Sequence, residues 1–266
     1  MKKIDPFYAL QAGWVRYKNK AGMYTAYTIV FFIASVLIAQ VATGLAGMLG
    51  FMGVRLSTLI MSLVVGAGSM FLSMGFAHVA RMDERGESVE FGDFFHAFKV
   101  NQKQLFGVVL ITTLIGQIGG FFMPEEIGAL ATGQLDFNNL DEVQMMFEDM
   151  AEIYVEHSGI IVLVALIQIV FGVGFMFSTY RASMEGDELM EALQWSFPRA
   201  WKNFLRLLVL GIMVFVIAMV MSLITFFIGL LAIIPWLILV QYDIYDQLCD
   251  KPEGVDPIVE EFDYDN

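Results

Sequence analysis

Cysteine and membrane-embedded charge are scarce in this chain of 266 residues. Cys249 is the only cysteine, which excludes a disulfide within the chain and any cysteine-based metal or haem motif. The sequence also has no HExxH motif and no phosphate-binding glycine-rich loop ending in Lys-Ser/Thr. We therefore expect neither a catalytic residue nor a cofactor site.

Charge of any sign is low, and apolar residues dominate. Charged residues make up 16% of the chain, hydrophobic residues 58%, and the mean hydropathy is +0.67, which excludes an ordinary soluble domain. A bilayer core about 30 Å thick needs roughly 20 apolar residues per helix. The sequence contains six such stretches and predicts an all-α integral membrane protein with six transmembrane helices, at about 23–47, 56–80, 105–123, 159–180, 204–226 and 229–247.

Basic residues are distributed unevenly between the two sides of this predicted membrane. No Lys or Arg occurs between Gln104 and Tyr180, and only Arg55 of the fifteen basic residues lies on the side away from the termini. Because Lys and Arg are enriched in the cytoplasmic flanks of membrane spans, both termini are expected in the cytoplasm. The protein is expected to be a multi-pass protein of a bacterial inner membrane. The first twenty residues lack the apolar region of a signal peptide, so the first span is expected to direct insertion.

An amphipathic segment precedes each odd-numbered span. The first carries Phe7, Leu10, Trp14 and Tyr17 at helical spacing; the others cover about 91–104 and 190–203. These similarities predict three tandem units, each an interfacial helix followed by a transmembrane hairpin. The alternative is that such helices are common in any multi-span protein. The candidate interfacial anchors are Trp14, Lys18, Lys103, Trp201 and Lys202.

The external segment, residues 121–157, holds nine acidic residues and no basic one. Apolar side chains follow a helical stripe along its second half: Val143, Met146, Phe147, Met150 and Tyr154. Because anionic lipid repels an acidic helix, the stripe is expected to contact protein. It either folds over the external ends of its own bundle or forms an interaction face for a protein partner or a second copy.

The predicted domain organisation is a single six-helix membrane domain over residues 1–249 and an acidic tail over residues 250–266. The tail has seven acidic residues, two prolines and one lysine, a composition typical of disordered segments. The tail is either a solubilising segment or carries a short motif that binds a cytosolic partner, with Ile258, Phe262 and Tyr264 as candidate contacts.

No ionisable residue is expected at mid-depth in a predicted span, which argues against coupled ion transport. His78 and Asp243 lie near the ends of their spans, and the three histidines, His78, His96 and His157, are spread over both sides of the membrane. Gln117 and Gln168 are candidate polar lining residues of a pore or substrate path, although such residues usually form hydrogen bonds between helices.

Three functions remain open at this stage. The first is a non-enzymatic scaffold or accessory subunit of a membrane complex, with membrane lipid and a protein as partners and no nucleic acid. The alternative is a transporter or channel for a small or lipidic substrate. An enzyme acting on lipid through Glu84, Glu87, Glu185 and Glu188 is a third, but helix starts explain these acidic residues more simply.

Several short motifs resemble a family of bacterial six-span membrane proteins that includes the membrane domain attached to some glycerophosphodiester phosphodiesterases. The residues that carry the resemblance are Gly13-Trp14, Lys18-Asn19, Arg85-Gly86, Phe94, Phe95, Ala97 and Phe98, then Ile233, Pro235, Tyr242 and Tyr245. The resemblance implies a six-helix bundle without an assigned catalytic residue. The acidic external segment and the absent phosphodiesterase domain are departures from it.

Overall fold

A computed structural model of the protein describes residues 3–50, 53–122, 140–225 and 228–249. The side chains of residues 54, 118–122, 140–143, 146, 147 and 149 lie outside this description. The chain divides into two compact units. The first unit comprises residues 1–110 and 173–266, and the second comprises residues 111–172.

The described residues are predominantly helical. The longer α-helices of the described part are, in chain order, α1 Pro6–Asn19, α2 Ala21–Met48, α3 Val54–Glu84, α4 Gln102–Phe122, α5 Leu140–Glu156, α6 Ser158–Phe175, α7 Leu189–Lys202, α8 Phe204–Ile224 and α9 Leu230–Leu248. A 3-10 helix, Phe91–Phe98, lies between α3 and α4. A short α-helical turn, Ser178–Tyr180, continues after α6 into a π-helical turn, Arg181–Glu185.

The prediction of an all-helical protein is confirmed for the described residues, and four of the helices fit membrane spans; the number of six spans and the three tandem units stay predictions. Each of the six predicted spans coincides with a helix: α2, α3, α4, α6, α8 and α9. Within the described ranges, four helical stretches are, by length and composition, apolar enough to cross a membrane, namely Ala21–Met48, Arg55–Glu84, Ser158–Glu185 and Phe204–Ile224. Their apolar side chains are largely exposed, as Val36, Leu166 and Phe215 illustrate. Soluble proteins rarely leave such extended apolar faces uncovered.

Local signals in the sequence explain where the first helices begin and end. Asp5 caps α1 by accepting hydrogen bonds from the backbone nitrogens of Phe7 and Tyr8, and Pro6 occupies the first turn. Gly53 and Gly86, which flank α3, have positive φ angles of 96° and 70°. Glycine adopts this left-handed backbone without the steric cost that other residues incur.

Paired acidic residues begin two of the shorter helices. Glu90 and Asp93 form a reciprocal capping box at the start of the 3-10 helix, and Glu188 and Glu191 form one at the start of α7. In such a box each side chain accepts a hydrogen bond from an otherwise unpaired backbone N–H group. The interpretation as a helix-start signal is therefore confirmed for Glu188, whereas Glu84 and Glu185 are the last residues of α3 and of the π-helical turn.

The core of the first unit is rich in aromatic rings where the 3-10 helix packs against α2 and α3. Tyr27 stacks on Phe94 with ring centroids 4.2 Å apart and meets the edge of Phe76 at 4.7 Å. The Tyr27 hydroxyl donates to the carbonyl oxygens of Leu72 and Phe94, at 2.8 and 3.3 Å. Gly75 makes this approach possible, because a β-carbon there would collide with the Phe94 carbonyl oxygen.

Helix α9 lies at the centre of the first unit and contacts α1, α2, α3 and α8. One face of its last three turns is buried, including Leu239, Tyr242, Asp243 and Tyr245. The second unit has its own helix-to-helix contact: the Gln168 side-chain nitrogen donates to the carbonyl oxygen of Gly116 at 2.6 Å.

Candidate functional site

Buried charges concentrate in the first unit where α1 meets the C-terminal ends of α3 and α9. We call this group the Arg16 cluster: Arg16, Glu84, Tyr242 and Asp243. Arg16 Nε donates to Asp243 Oδ1 at 2.9 Å, and its terminal nitrogen lies 3.7 Å from Glu84 Oε2. The side chains of Arg16 and Asp243 are only 6% and 2% exposed, so the pair is shielded from water.

A tyrosine completes the Arg16 cluster. The Tyr242 hydroxyl donates to Glu84 Oε2 at 2.7 Å, while the Arg16 guanidinium lies 5.3 Å from the centre of the Tyr242 ring. Arg16 also donates to the carbonyl oxygen of Ala80 at 3.5 Å. Three helices are thus joined through one guanidinium, which offers several donors in a fixed plane.

The surroundings keep Arg16 charged. Burial alone would lower the pKa of Arg16, but the charges and hydrogen bond supplied by Asp243, with Tyr242 and Glu84, raise that pKa above its usual value. An opposite charge within a few ångströms favours the ionised form. The second oxygen of Asp243, Oδ2, is buried without a hydrogen-bond partner among the described residues.

Helix α1 is bound to α9 along a face of small residues. Ala9, Ala12 and Gly13 are buried, whereas Phe7 and Trp14 are 68% and 43% exposed. A β-carbon on Gly13 would meet the backbone nitrogen of Val240 at 2.9 Å. The helix therefore buries its small residues against protein and leaves Phe7 and Trp14 uncovered.

Directional hydrogen bonds hold the first half of α1, and the two residues before it, in place. The Trp236 indole nitrogen donates to the carbonyl oxygen of Leu10 at 3.1 Å. The Gln247 side chain accepts from the Asp5 backbone nitrogen at 2.7 Å and donates to its carbonyl oxygen at 3.3 Å. One residue earlier, the Ile4 backbone nitrogen donates to Asn203 Oδ1 at 3.1 Å.

A second group of charges, the Arg81 cluster, joins α3 to the π-helical turn and to α9. It consists of Arg81, Glu185 and Tyr245. Arg81 forms an ion pair with Glu185 at 2.7 Å and donates to the carbonyl oxygen of Met184 at 3.1 Å. Tyr245 donates to the same Glu185 oxygen at 3.2 Å. The Glu185 carboxylate is therefore shared between two elements.

The π-helical turn carries further polar contacts. Nε2 of His78 and the hydroxyl oxygen of Ser183 are 2.9 Å apart, and the His78 and His96 rings lie 5.0 Å apart. Asn101, whose φ of 54° is unusual for a residue other than glycine, donates from its side chain to the Ser183 carbonyl oxygen at 2.9 Å. Arg181 pairs with Asp187 at 2.6 Å.

The two clusters connect helices, and their contacts occupy the carboxylates and tyrosine hydroxyls that acid-base chemistry would use. In each cluster an arginine meets a carboxylate of another element, and a tyrosine hydroxyl occupies a carboxylate oxygen. Removing one partner of a buried pair leaves an uncompensated charge and costs about 3–5 kcal/mol. Within the described residues, no three His, Cys, Asp or Glu side chains are grouped so as to hold a metal ion.

The residues expected at the membrane interface differ in their surroundings. Trp14, Lys18, Lys103 and Lys202 are exposed. Trp201 is half-buried and stacks on Phe204 with ring centroids 5.0 Å apart. Their role as lipid anchors stays a prediction.

The other candidate residues lie in the second unit or outside the described part. Gln168 bonds the backbone of Gly116, as a helix-pairing residue does, and Gln117 is half-buried. In the predicted stripe, Tyr154 is exposed and Met150 is half-buried. The side chains of Val143, Met146 and Phe147 lie outside the described residues, as do the tail residues Ile258, Phe262 and Tyr264.

Sequence patterns did not reveal the two clusters. Arg16 reads as one of several basic flanking residues, and Asp243 as a residue at the end of the last span. Their partnership spans 227 positions, beyond any local periodicity. The one available signal is that Arg16 follows Ala9, Ala12 and Gly13 at helical spacing, on the face that α1 buries.

Comparison with known proteins gives no significant match, whether with family models, with curated proteins or with solved structures.

Proposed function

We propose that this chain is a non-enzymatic, six-span protein of a bacterial inner membrane that acts as a scaffold or accessory subunit of a membrane complex. Both termini lie in the cytoplasm, and α1, the 3-10 helix and α7 are the interfacial helices of three tandem units. The observation that carries the proposal is the use of buried charge in the first unit. Arg16 and Arg81 bind carboxylates of other elements, so the charged groups fix helix positions.

The distribution of side chains supports the membrane arrangement. The Arg16 and Arg81 clusters lie near the C-terminal ends of α3 and α9. These helix ends belong to the side of the predicted membrane on which most of the basic residues occur in the sequence. Phe7 and Trp14 are uncovered on α1, which suits the headgroup region, where amphipathic aromatic side chains collect. Lys18 is exposed and close by in sequence, so it can meet lipid phosphates.

The external helix α5 offers a face for another protein or a second copy. Met145, Tyr154 and Val155 are exposed on it. Exposed acids, including Glu148, Glu152 and Glu156, accompany them. An acidic surface with apolar and aromatic contacts disfavours anionic headgroups and suits a protein surface.

Affinity purification of the full chain from native membranes tests this function. We expect a stable partner in mild detergent, its recovery lowered by Tyr154→Ala and kept by Tyr154→Phe, because phenylalanine preserves the ring contact. Light scattering separates a second copy from a different protein. Repeated recovery of a monomer without any partner, after crosslinking in intact membranes, would overturn the proposal.

Topology is tested with single cysteines in a Cys249→Ser background. Glu87→Cys lies in the exposed connection after α3, and Met48→Cys lies at the exposed end of α2. In intact cells an impermeant maleimide should label Met48→Cys alone, and should label both after lysis. Labelling of Glu87→Cys in intact cells would reverse the orientation.

Transport through the second unit is the rival function, with Gln117 and Gln168 as lining residues. The bond from Gln168 to the Gly116 carbonyl oxygen supports helix pairing instead. Substrate flux into proteoliposomes that Gln168→Leu abolishes, while the thermal midpoint is unchanged, would favour the transporter over the scaffold.

A further inference from the structure

We propose that the acidic tail, residues 250–266, binds back onto a basic rim of the same chain. The rim consists of Lys3, Lys202 and Arg206, which come from the segment before α1, the end of α7 and the start of α8. This inference concerns contacts within one chain and does not depend on the scaffold function.

The rim lies beside the point where the tail leaves the bundle. Gln247, two residues before Cys249, bonds both backbone groups of Asp5. The neighbouring Ile4 accepts from Arg206 through its carbonyl oxygen and donates to Asn203 through its nitrogen. Each rim residue is therefore one of these contacting residues or its immediate neighbour in sequence.

Charge favours this contact. The tail holds seven acidic residues against Lys251 alone. Lys3, Lys202 and Arg206 are exposed, and none of them forms an ion pair with a carboxylate of the described part of the chain. The rim thus carries positive charge that the described bundle leaves uncompensated.

Tethering makes weak contacts sufficient. A single exposed ion pair contributes little to stability because water and salt screen it, so no single tail residue would keep the tail bound. A short tether, however, gives an effective concentration of about 1 mM or more, and seven acids can exchange among three basic groups. Seventeen residues span up to roughly 55 Å when extended, so the tail reaches the rim easily.

Anionic lipid headgroups are the competing occupant of the rim. They carry the same charge as the tail, but they are not attached beside the rim. An acidic tail is also repelled from an anionic bilayer surface, which favours its retention on the protein's own basic residues. The bound tail then screens the rim from headgroups.

Distance measurements between two spin labels test the proposal on the full chain. The labels are placed at Val259→Cys in the tail and Met190→Cys, exposed on α7, in a Cys249→Ser background. The protein is reconstituted in nanodiscs of neutral lipid. A matched set of nanodiscs contains phosphatidylglycerol at one third of the lipid, about 30%, to supply anionic headgroups.

We expect a short distance population in both nanodiscs at low salt. It should be lost at about 1 M salt, where the screening length falls to about 3 Å. Lys3→Glu with Lys202→Glu should abolish it, and adding Glu260→Lys with Glu261→Lys should restore it. This exchange of signs separates attraction from damage to the fold.

Lys99→Glu with Lys103→Glu is the matched control, because both lysines are exposed and neither belongs to the rim. The control should keep the short population. An equal loss in the control and rim variants would show attraction to the whole basic face and overturn the proposal. So would loss of the population in anionic nanodiscs, which would assign the rim to lipid.

Discussion

Gly13 of α1 and Val240 of α9 are in direct contact: a β-carbon on Gly13 would lie 2.8 Å from Val240 Cγ2 and 2.9 Å from the Val240 backbone nitrogen. Real β-carbons do not approach other heavy atoms so closely, and a backbone atom cannot turn away as a side chain can. The absence of a side chain at Gly13 therefore sets the distance between the two helices. Arg16 lies one turn later, within reach of Asp243.

Replacement of Gly13 by alanine should destabilise the protein. In an ordinary helix the change would stabilise by about 0.5–1 kcal/mol, but here the added methyl group must push α1 away from Val240. Overpacking of this kind costs about 1–3 kcal/mol, so the net change should be a loss. The thermal midpoint in detergent, followed by tryptophan fluorescence, measures it.

Gly22→Ala is the matched control, because a β-carbon on Gly22, also in a helix, meets no atom within 4 Å. It should leave the midpoint unchanged or raise it. If Gly13→Ala were as stable as Gly22→Ala, the close contact between α1 and α9 would be refuted.

Tyr27→Phe should lower stability while preserving the aromatic packing of the 3-10 helix. The change removes the donor to Leu72 and Phe94 and keeps the ring stacked on Phe94. A buried hydrogen bond contributes about 1 kcal/mol, and an unsatisfied buried group costs about 1–3 kcal/mol. Chemical or thermal unfolding should therefore show a loss of this order.

The comparison for Tyr27→Phe is Tyr154→Phe, where the side chain is exposed and the loss should be within error. Equal midpoints for the two variants would mean that the Tyr27 hydroxyl contributes nothing. Gly75→Ala should exceed both, because it displaces the Phe94 carbonyl oxygen itself.

The helices were the predictable part of this structure, and the charge contacts were not. Long apolar runs place α2, α3, α6 and α8 because the bilayer length requirement is strict. Paired acids likewise mark the starts of the 3-10 helix and α7. Such signals are local, since each depends on a few neighbouring residues.

The Arg16 cluster depends on contacts between residues far apart in sequence. Trp14 and Phe7 of the predicted interfacial stripe are exposed, but Tyr17 of the same stripe is buried, and the buried face of α1 also carries small residues and a charge. The sequence does not distinguish a buried arginine from an exposed one. Arg16 is identified as buried and paired only by the position of Asp243 on α9. The neighbouring rings of His78 and His96 likewise follow from how the 3-10 helix packs on α3.

Cys249 should react slowly with maleimide at neutral pH. Burial raises the pKa of the Cys249 thiol above its usual value, and only the thiolate is the nucleophile. Below that pKa, the reactive fraction rises about tenfold for each pH unit. The labelling rate should therefore still increase steeply from about pH 7 to about pH 9, just above the ordinary thiol pKa of about 8.5.

An exposed comparison thiol, Glu87→Cys in a Cys249→Ser background, should react faster at pH 7 and reach its plateau at lower pH. If the native Cys249 rate levelled off before that of the comparison thiol, the direction assigned to its pKa would be wrong.

The central claim is that buried charges at the ends of α3 and α9 hold helices together, and one double-mutant cycle tests it most directly. Arg16→Met alone should cost about 3–5 kcal/mol, because it leaves the Asp243 carboxylate buried and without its charged partner. Asp243→Leu alone should cost less, because Glu84 still lies 3.7 Å from the Arg16 guanidinium. The double variant replaces the pair with apolar side chains and should recover most of that loss. A double variant as unstable as either single variant would contradict this role of the buried charges. So would a stable double variant that no longer retains the partner protein of the membrane complex.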